Sequence, residues 1–250
     1  MFTKSIKNIL YRFFRQFGFE IIRVDPFQYR RVNIPREESK QIDSILLEFS
    51  EEMVHDPAFR FKALKNYLSE NRVTFFFELM NVCREYEIEM DDQSVADIGS
   101  GMGYLLRCIN KEYTPESLTG YDTFETMLPL ARKFCEKATF QPTNLFEVAR
   151  TYDIVFCTEV IEHMVHPGSA VKKLFAMLNP GGTLIITVPD GRRDTLPAKK
   201  IRSDGTAYWG HINFWSPESW PVFLQEQLPS SKEVKTGLVN PSKLYGIIKK

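Results

Sequence analysis

The sequence predicts an α/β fold: a mostly parallel seven-stranded sheet that ends in an antiparallel hairpin and is preceded by a helical segment. Three observations predict it. From Ser94 onward, short apolar β-branched runs alternate with amphipathic helical runs, the order that builds a parallel sheet with right-handed crossovers. The first of those runs, SVADI, leads into three alternating glycines, Gly99, Gly101 and Gly103, and then a helix start. The last two runs, KEVKTGLV and KLYGIIKK, flank Asn240-Pro241, a turn signal that pairs them as a hairpin.

Residues 1–30 form a basic amphipathic start. Ile6, Ile9, Leu10, Phe13, Phe14 and Phe17 recur at helical spacing, with Lys4, Lys7, Arg12 and Arg15 largely between them. Two readings stay open: residues 1–24 lie on an anionic membrane surface, or the stripe packs on the domain or on a second subunit. Charge interrupts each apolar stretch and no A-x-A site follows, so no secretory signal is expected. Residues 31–93 read as a helical cap. Ile42, Ile45, Leu46, Phe49 and Met53 place one helix over 37–54, Asp56-Pro57 caps a second, and a third runs from Phe75 to Tyr86, each on apolar periodicity or cap chemistry. The acidic turn Asp91-Asp92 closes the segment.

In the remainder, 94–250, VADIG is a strand and YLLRCINKEY a helix; LTGYD is a strand, and LARKFCEK carries the next helix. TFQPT is a short strand and YDIVFCTE a longer one. A helix runs from Pro167 to Leu178, the turn Asn179-Pro180-Gly181-Gly182 stops it, and TLIITVPD follows as a strand. Ser216-Pro217-Glu218 opens the last helix.

Composition narrows the partners. Lys plus Arg equals Asp plus Glu at 32 each, so no net field favours nucleic acid. Cys83, Cys108, Cys135 and Cys157 are scattered without a C-x-x-C pair and read as buried apolar residues in a reducing compartment. No apolar run reaches the roughly 18 residues of a membrane span. Cytoplasmic placement is expected, with peripheral contact at the inner membrane surface if the first reading of 1–24 holds.

The glycine turn exposes bare backbone in front of a helix N-terminus, which suits a nucleoside-like cofactor. Gly-rich turns serve several nucleotides, and three details separate them. The spacing G-x-G-x-G brings the third glycine one residue earlier than the dinucleotide pattern. Met102-Gly103-Tyr104 lacks the G-K-[ST] of a P-loop. Asp97, just before the glycines, would repel a pyrophosphate and suits a ligand with a cationic amino group. Asp122 ends the next strand, nineteen positions after Gly103. There a carboxylate accepts hydrogen bonds from both ribose hydroxyls, or caps the following segment.

Four landmarks in order, VADIGSGMG, GYD, YDIVFCTEVIEHMVHP and LNPGGTLIITVPD, make residues 94–190 resemble the class I S-adenosylmethionine-dependent methyltransferases, the broad group that includes ubiquinone-pathway O-methyltransferases. The resemblance weakens over 191–250 and is absent over most of 1–90. It implies a Rossmann-like fold, a methyltransferase domain at 94–250 and S-adenosylmethionine as cofactor. By it, Asp97, Gly99, Ser100, Gly101 and Gly103 hold the methionine moiety and Asp122 the ribose. Asn144 stands where the family often has an acid on the adenine amino group, and its side-chain oxygen can still accept. Thr158 and Glu159 would face the methyl-transfer cleft.

Methyl transfer from a sulfonium needs alignment and exclusion of water, and a base only for a hydroxyl or protonated amine. The candidates are Glu162, His163 and His211, with His166 nearby in sequence. Glu159, Glu162, His163 and His211 also resemble the E-x-x-E-H…H metal site of small-RNA 3′-end methyltransferases. No metal is expected to be required, because E-V-I-E-H is widespread in the family. A structural role for His163 stays open as well. The segment 191–215 is too long for an ordinary connection and reads as a lid, with Arg192, Arg193, Lys199, Lys200 and Arg202 for a phosphate or carboxylate. Tyr208, Trp209 and Trp215 would stack on a ring of the acceptor, or else anchor the loop to the core. The expected function is methyl transfer, at oxygen, to a small-molecule, glycan or lipid-linked acceptor. A non-catalytic cofactor-binding scaffold is the alternative, and metal-assisted RNA methylation is disfavoured.

Overall fold

The computed structural model describes residues 34–52, 69–194 and 210–250. The amphipathic start at 1–24, the helix expected at Asp56-Pro57 and the stretch containing Lys199, Lys200, Arg202, Tyr208 and Trp209 lie outside the described residues.

Two helices, α1 (Arg36–Glu52) and α2 (Glu70–Glu85), precede the sheet. Then come β1 (Ser94–Ile98), α3 (Tyr104–Glu112), β2 (Ser117–Tyr121), α4 (Leu128–Phe134) and β3 (Thr139–Gln141). They are followed by β4 (Tyr152–Thr158), α5 (Pro167–Ala176), β5 (Leu178–Pro189), α6 (Ser219–Gln227), β6 (Glu233–Asn240) and β7 (Lys243–Lys249). The sheet has seven strands in the order β3-β2-β1-β4-β5-β7-β6. The first five are parallel to their neighbours, and β7 runs antiparallel between β5 and β6. This is the expected mostly parallel sheet with its terminal hairpin. The order reverses beside β1, and in such sheets a crevice opens outside the strand ends at that point.

Every residue of β1 is buried because both sheet faces are covered. On one face Ile42 and Leu46 of α1, Leu79 and Met80 of α2, and Leu105 and Ile109 of α3 pack with Val95, Phe156 and Ile247. On the other, Leu174 of α5 and Trp220 and Leu224 of α6 pack with Ala96, Val155 and Ile186. The four cysteines are free and buried. Among the described residues no helix is long and apolar enough to cross a membrane.

The turn expected at Asn179–Gly182 sits inside the strand assignment rather than ahead of it. Tyr152 pairs with Leu178 but Ile154 pairs with Thr183, so the intervening residues bulge out of register. Gly181 takes a left-handed φ of 82° there, and Asn179 donates to Asp153 Oδ1 at 2.8 Å.

A buried carboxylate fastens α1 to the sheet layer. Glu38 accepts from the Tyr104 hydroxyl at 2.7 Å and from Arg107 Nε at 3.1 Å, and Lys111 bonds its other oxygen. Burial alone would raise this carboxyl, but the bonds from Lys111, Tyr104 and Arg107 hold it below its ordinary value. Its contribution is therefore present above the unfolded value of about 4.3 and lost as pH falls through the depressed folded-state value. Glu38→Ala is expected to cost about 2–3 kcal/mol at neutral pH, less than a fully buried pair because Lys111 is partly solvated. Urea unfolding should show this difference shrinking in acid; equal midpoints at neutral pH would contradict the assignment.

Candidate active site

The crevice is built at the end of β1. Asp97 pairs in register with Gly120 of β2 and Phe156 of β4, and the chain then turns through Gly99, Gly101 and Gly103 at φ of 78°, 50° and 69°. Only glycine takes these values without strain. The turn is stapled to the neighbouring strand end: Gly99 N–H and Ser100 N–H both donate to the Tyr121 carbonyl, at 2.8 and 3.0 Å. Asp122 Oδ2 accepts from Gly101 N–H at 2.7 Å and its Oδ1 from Phe124 N–H at 2.8 Å.

Space as well as dihedral angle dictates glycine here. A Cβ on Gly99 would lie 2.3 Å from Val160 Cγ2, and one on Gly103 would lie 2.6 Å from Phe140 Cζ. Gly120, whose φ demands nothing unusual, would place a Cβ 2.5 Å from Phe140 and 2.7 Å from Ser100 Oγ. The G-Y-D glycine thus makes room for the turn rather than shaping the strand.

Asp97 is buried, and its Oδ1 has no hydrogen-bond partner; the buried Ser100 hydroxyl has none either. Burial, helped by the nearby Asp122 charge, pushes the Asp97 carboxyl up to about 8. Burial also raises Asp122. Asp97 faces a niche of about 30 Å³ lined also by Gly99, Ser100, Tyr104, Thr158 and Glu159, and by Arg72 and Phe76 of α2. A niche this small admits a group of ammonium size. Arg72 and Glu159 also line an adjoining cleft of about 450 Å³, bounded by Ser69 at the N-cap of α2, by Asn71, Thr74 and Phe75 of α2, and by Pro241 to Lys243.

Glu159 ends β4 with φ at 58°, a left-handed conformation that costs free energy for a non-glycine residue and concentrates at functional sites. Its N–H donates to the Thr187 carbonyl at 3.0 Å. Its side chain accepts from the Thr187 hydroxyl at 3.2 Å and from Lys243.

The next residues form a 3₁₀ turn, Ile161–His163. The segment after residue 209 is pinned onto it: Ile212 and Asn213 N–H donate to the Glu162 carbonyl at 2.9 and 3.1 Å, and Asn213 Nδ2 donates to the Met164 carbonyl at 2.6 Å. The pinning brings the His163 and His211 rings to 4.6 Å between centroids. Both Nε2 atoms face one oxygen of Glu162, at 3.7 Å for His163 and 3.9 Å for His211. Burial and the Glu159 charge raise the Glu162 carboxyl well above its ordinary value, while burial lowers His163.

Glu162, His163 and His211 are therefore brought together, and Asp97, Gly99, Ser100, Thr158 and Glu159 line the neighbouring niche, with Asp122 bonded to the turn behind it through Gly101 N–H. The expectations for Asn144 and Arg192 are corrected, and of the two readings of Trp215 the anchoring one holds. Asn144 caps the 3₁₀ turn Leu145–Glu147, its side-chain oxygen accepting from Phe146 N–H at 3.0 Å in a capping box with Glu147, so that oxygen already has a backbone donor. Arg192 is spent on Asp190, through Nη2 at 2.8 Å and Nε at 3.1 Å, and on Glu218. Trp215 is buried against Trp220 and Phe223 and anchors the segment to the core. Sequence reasoning missed Arg72, Lys243, Asp194 and Asn213, which reach the site from other elements. It also missed Phe124 and Phe146, aromatic rings 50% and 52% exposed after β2 and β3.

A family model described as a methyltransferase domain matches residues 83–227. The ubiquinone biosynthesis O-methyltransferase of Coxiella burnetii is 28% identical over 110 residues, 41% of this chain and 46% of that protein. The tRNA U34 carboxymethyltransferase of Campylobacter curvus is 32% identical over 110 residues, covering 40% and 35%. The chain thus spans less than half the length of these curated relatives. The crystal structure of magnesium protoporphyrin IX methyltransferase from Synechocystis PCC 6803, with bound SAM, shares the fold with a TM-score of 0.54 at 14% identity, over 91% of this chain and 98% of that one.

Asp97 makes the ligand-free protein pH-sensitive. A carboxyl near 8 when folded and about 3.9 when unfolded leaves stability intact below pH 4 and erodes it as pH rises toward 8. Thermal melts from pH 5 to 8.5 should fall for the wild type and stay flatter for Asp97→Asn, with the variant ahead by several degrees at the alkaline end. Parallel curves would contradict the unpaired, buried carboxylate.

Proposed function

The chain belongs to a family of methyltransferase domains, and we propose that it transfers a methyl group from S-adenosylmethionine to the oxygen of a small-molecule acceptor. The observation that carries the reading is the buried Asp97 carboxylate, one oxygen without a partner, at the head of the glycine turn. A site so built fits the cationic amino group of this donor: the charge it brings is the one Asp97 lacks. Asp122, at the end of β2, is placed for the ribose hydroxyls, and its existing bonds to Gly101 and Phe124 N–H hold it in position. The exposed ring of Phe124, two residues on, offers an apolar face for the base.

The bound donor supplies an activated methyl group on sulfur; the chain supplies alignment and dryness. Thr158 and Glu159 close the floor of the niche, and Arg72 and Phe76 of α2 cover it. The acceptor reading rests on the adjoining cleft, where polar side chains (Ser69, Asn71 and Thr74) and charged ones (Arg72, Glu78, Glu159 and Lys243) outnumber the apolar Phe75 and Pro241. That lining favours a hydroxyl-bearing acceptor, free or as the exposed part of a glycan or lipid-linked molecule. Glu162, His163 and His211 are the groups we assign to deprotonation of the acceptor hydroxyl. Balanced charge argues against a nucleic-acid acceptor.

Calorimetric titration with S-adenosylmethionine tests the donor site. The wild type should bind one equivalent, and Asp97→Asn should lose at least roughly tenfold in affinity, the low end for a charge-assisted hydrogen bond. Undiminished affinity in the variant would contradict the assignment. Release of S-adenosylhomocysteine against a panel of hydroxylated acceptors would separate an enzyme from a binding module.

A further inference from the structure

The geometry assigns a divalent transition-metal site to Glu162, His163 and His211. These residues offer ligand atoms that all lie within 4.8 Å of one another, and they come from two segments that Asn213 and the Glu162 carbonyl hold together. The Glu162 side chain is 1% exposed, and neither of its oxygens has a hydrogen-bond partner. A fully buried carboxylate with both oxygens bare demands a cation or a proton.

The two imidazoles show which. His163 Nδ1 lies 2.9 Å from the Gly210 carbonyl, which can only accept, so Nδ1 carries the hydrogen. His211 Nδ1 is bonded to the Asp194 carboxylate, which fixes the same tautomer. In the neutral rings Nε2 is then a bare lone pair, and both lone pairs face the carboxylate oxygen at 3.7 and 3.9 Å. Three acceptors pointed at one another repel unless a cation lies between them. Metal-bound histidines characteristically donate their other N–H to a carboxylate or carbonyl in this way. A tetrahedral ion with bonds of about 2.0–2.1 Å separates its ligands by about 3.3 Å; the two imidazole–carboxylate distances are already within about 0.6 Å of that, and the set as a whole, within 4.8 Å, would close further around the ion.

Glu159 does not belong to the set, since Thr187 and Lys243 hold its oxygens; the four-residue pattern suggested by the sequence reduces to three. Two imidazoles and one carboxylate with open positions suit zinc, cobalt, manganese or ferrous iron, whereas magnesium and calcium favour all-oxygen shells. His163 is 33% exposed and keeps the site accessible from one side. If the methyl-transfer reading holds, an acceptor hydroxyl bound to the ion has its pKa lowered and yields its proton to water. His163 is then a ligand rather than a free base.

Chelator-treated full-length protein titrated with Co²⁺ tests the site, with visible ligand-field absorption and calorimetry as readouts. One equivalent is expected, displaceable by Zn²⁺. Glu162→Gln and His211→Ala should each weaken binding at least roughly tenfold, and Asp194→Asn, which removes no ligand, about 10- to 100-fold. Zn²⁺ should raise the melting temperature of the wild type but not of His163→Gln, whose accessible side chain makes it the variant surest to fold. No stoichiometric uptake, or uptake unchanged in these variants, would overturn the proposal and leave Glu162 held by a proton. S-adenosylmethionine affinity, read in the same samples, is expected to be indifferent to chelation, so failure of the metal and failure of the donor reading are separate results.

Discussion

The carboxylate of Asp97 is buried at the point where β1 ends, and the protein itself leaves one of its oxygens unpaired. Around it the backbone is packed so closely that Gly99, Gly103 and Gly120 leave no room for a Cβ against Val160 and Phe140. The Tyr121 carbonyl and the Asp122 carboxylate absorb the N–H groups of the turn. The ends of β1, β2 and β4 are thereby locked at one corner, and the unsatisfied charge sits in its centre. Such a group costs the fold free energy, and the proposed donor's ammonium is the partner that would offset it.

From that corner the site divides into two parts along β4. Asp97, the glycine turn and Asp122 form one side. Glu159, strained and braced by Thr187 and Lys243, marks the boundary, and the Glu162–His163–His211 cluster lies beyond it. Arg72 of α2 lines both cavities and acts electrostatically on Glu162 and His163. The helices that precede the sheet are therefore part of the site as well as of the core. Glu38 holds α1 against α3 through Tyr104, Arg107 and Lys111.

The sheet and the glycine corner at the end of β1 were legible because their signals are local. Alternating strands and helices, an acid before three glycines, and an acid closing the next strand can all be read within a few residues of each other. What was illegible depends on distance along the chain. Nothing in the sequence pairs Asp194 with His211, or sends Lys243 from the terminal hairpin to Glu159. Misreadings arose where a residue type had a nearer partner: Arg192 next to Asp190, and Asn144 at the start of a 3₁₀ turn. The bulge at Asn179–Gly182 was read as a turn because both need the same residues, and only the pairing of Tyr152 with Leu178 distinguishes them.

The most direct test of the account is a crystal structure of the protein with S-adenosylhomocysteine, which carries the same amino group and ribose as the donor. The account predicts the ammonium within hydrogen-bonding distance of Asp97 and both ribose hydroxyls on Asp122. A ligand bound elsewhere, or bound at the turn with the Asp97 carboxylate still unpaired, would contradict it.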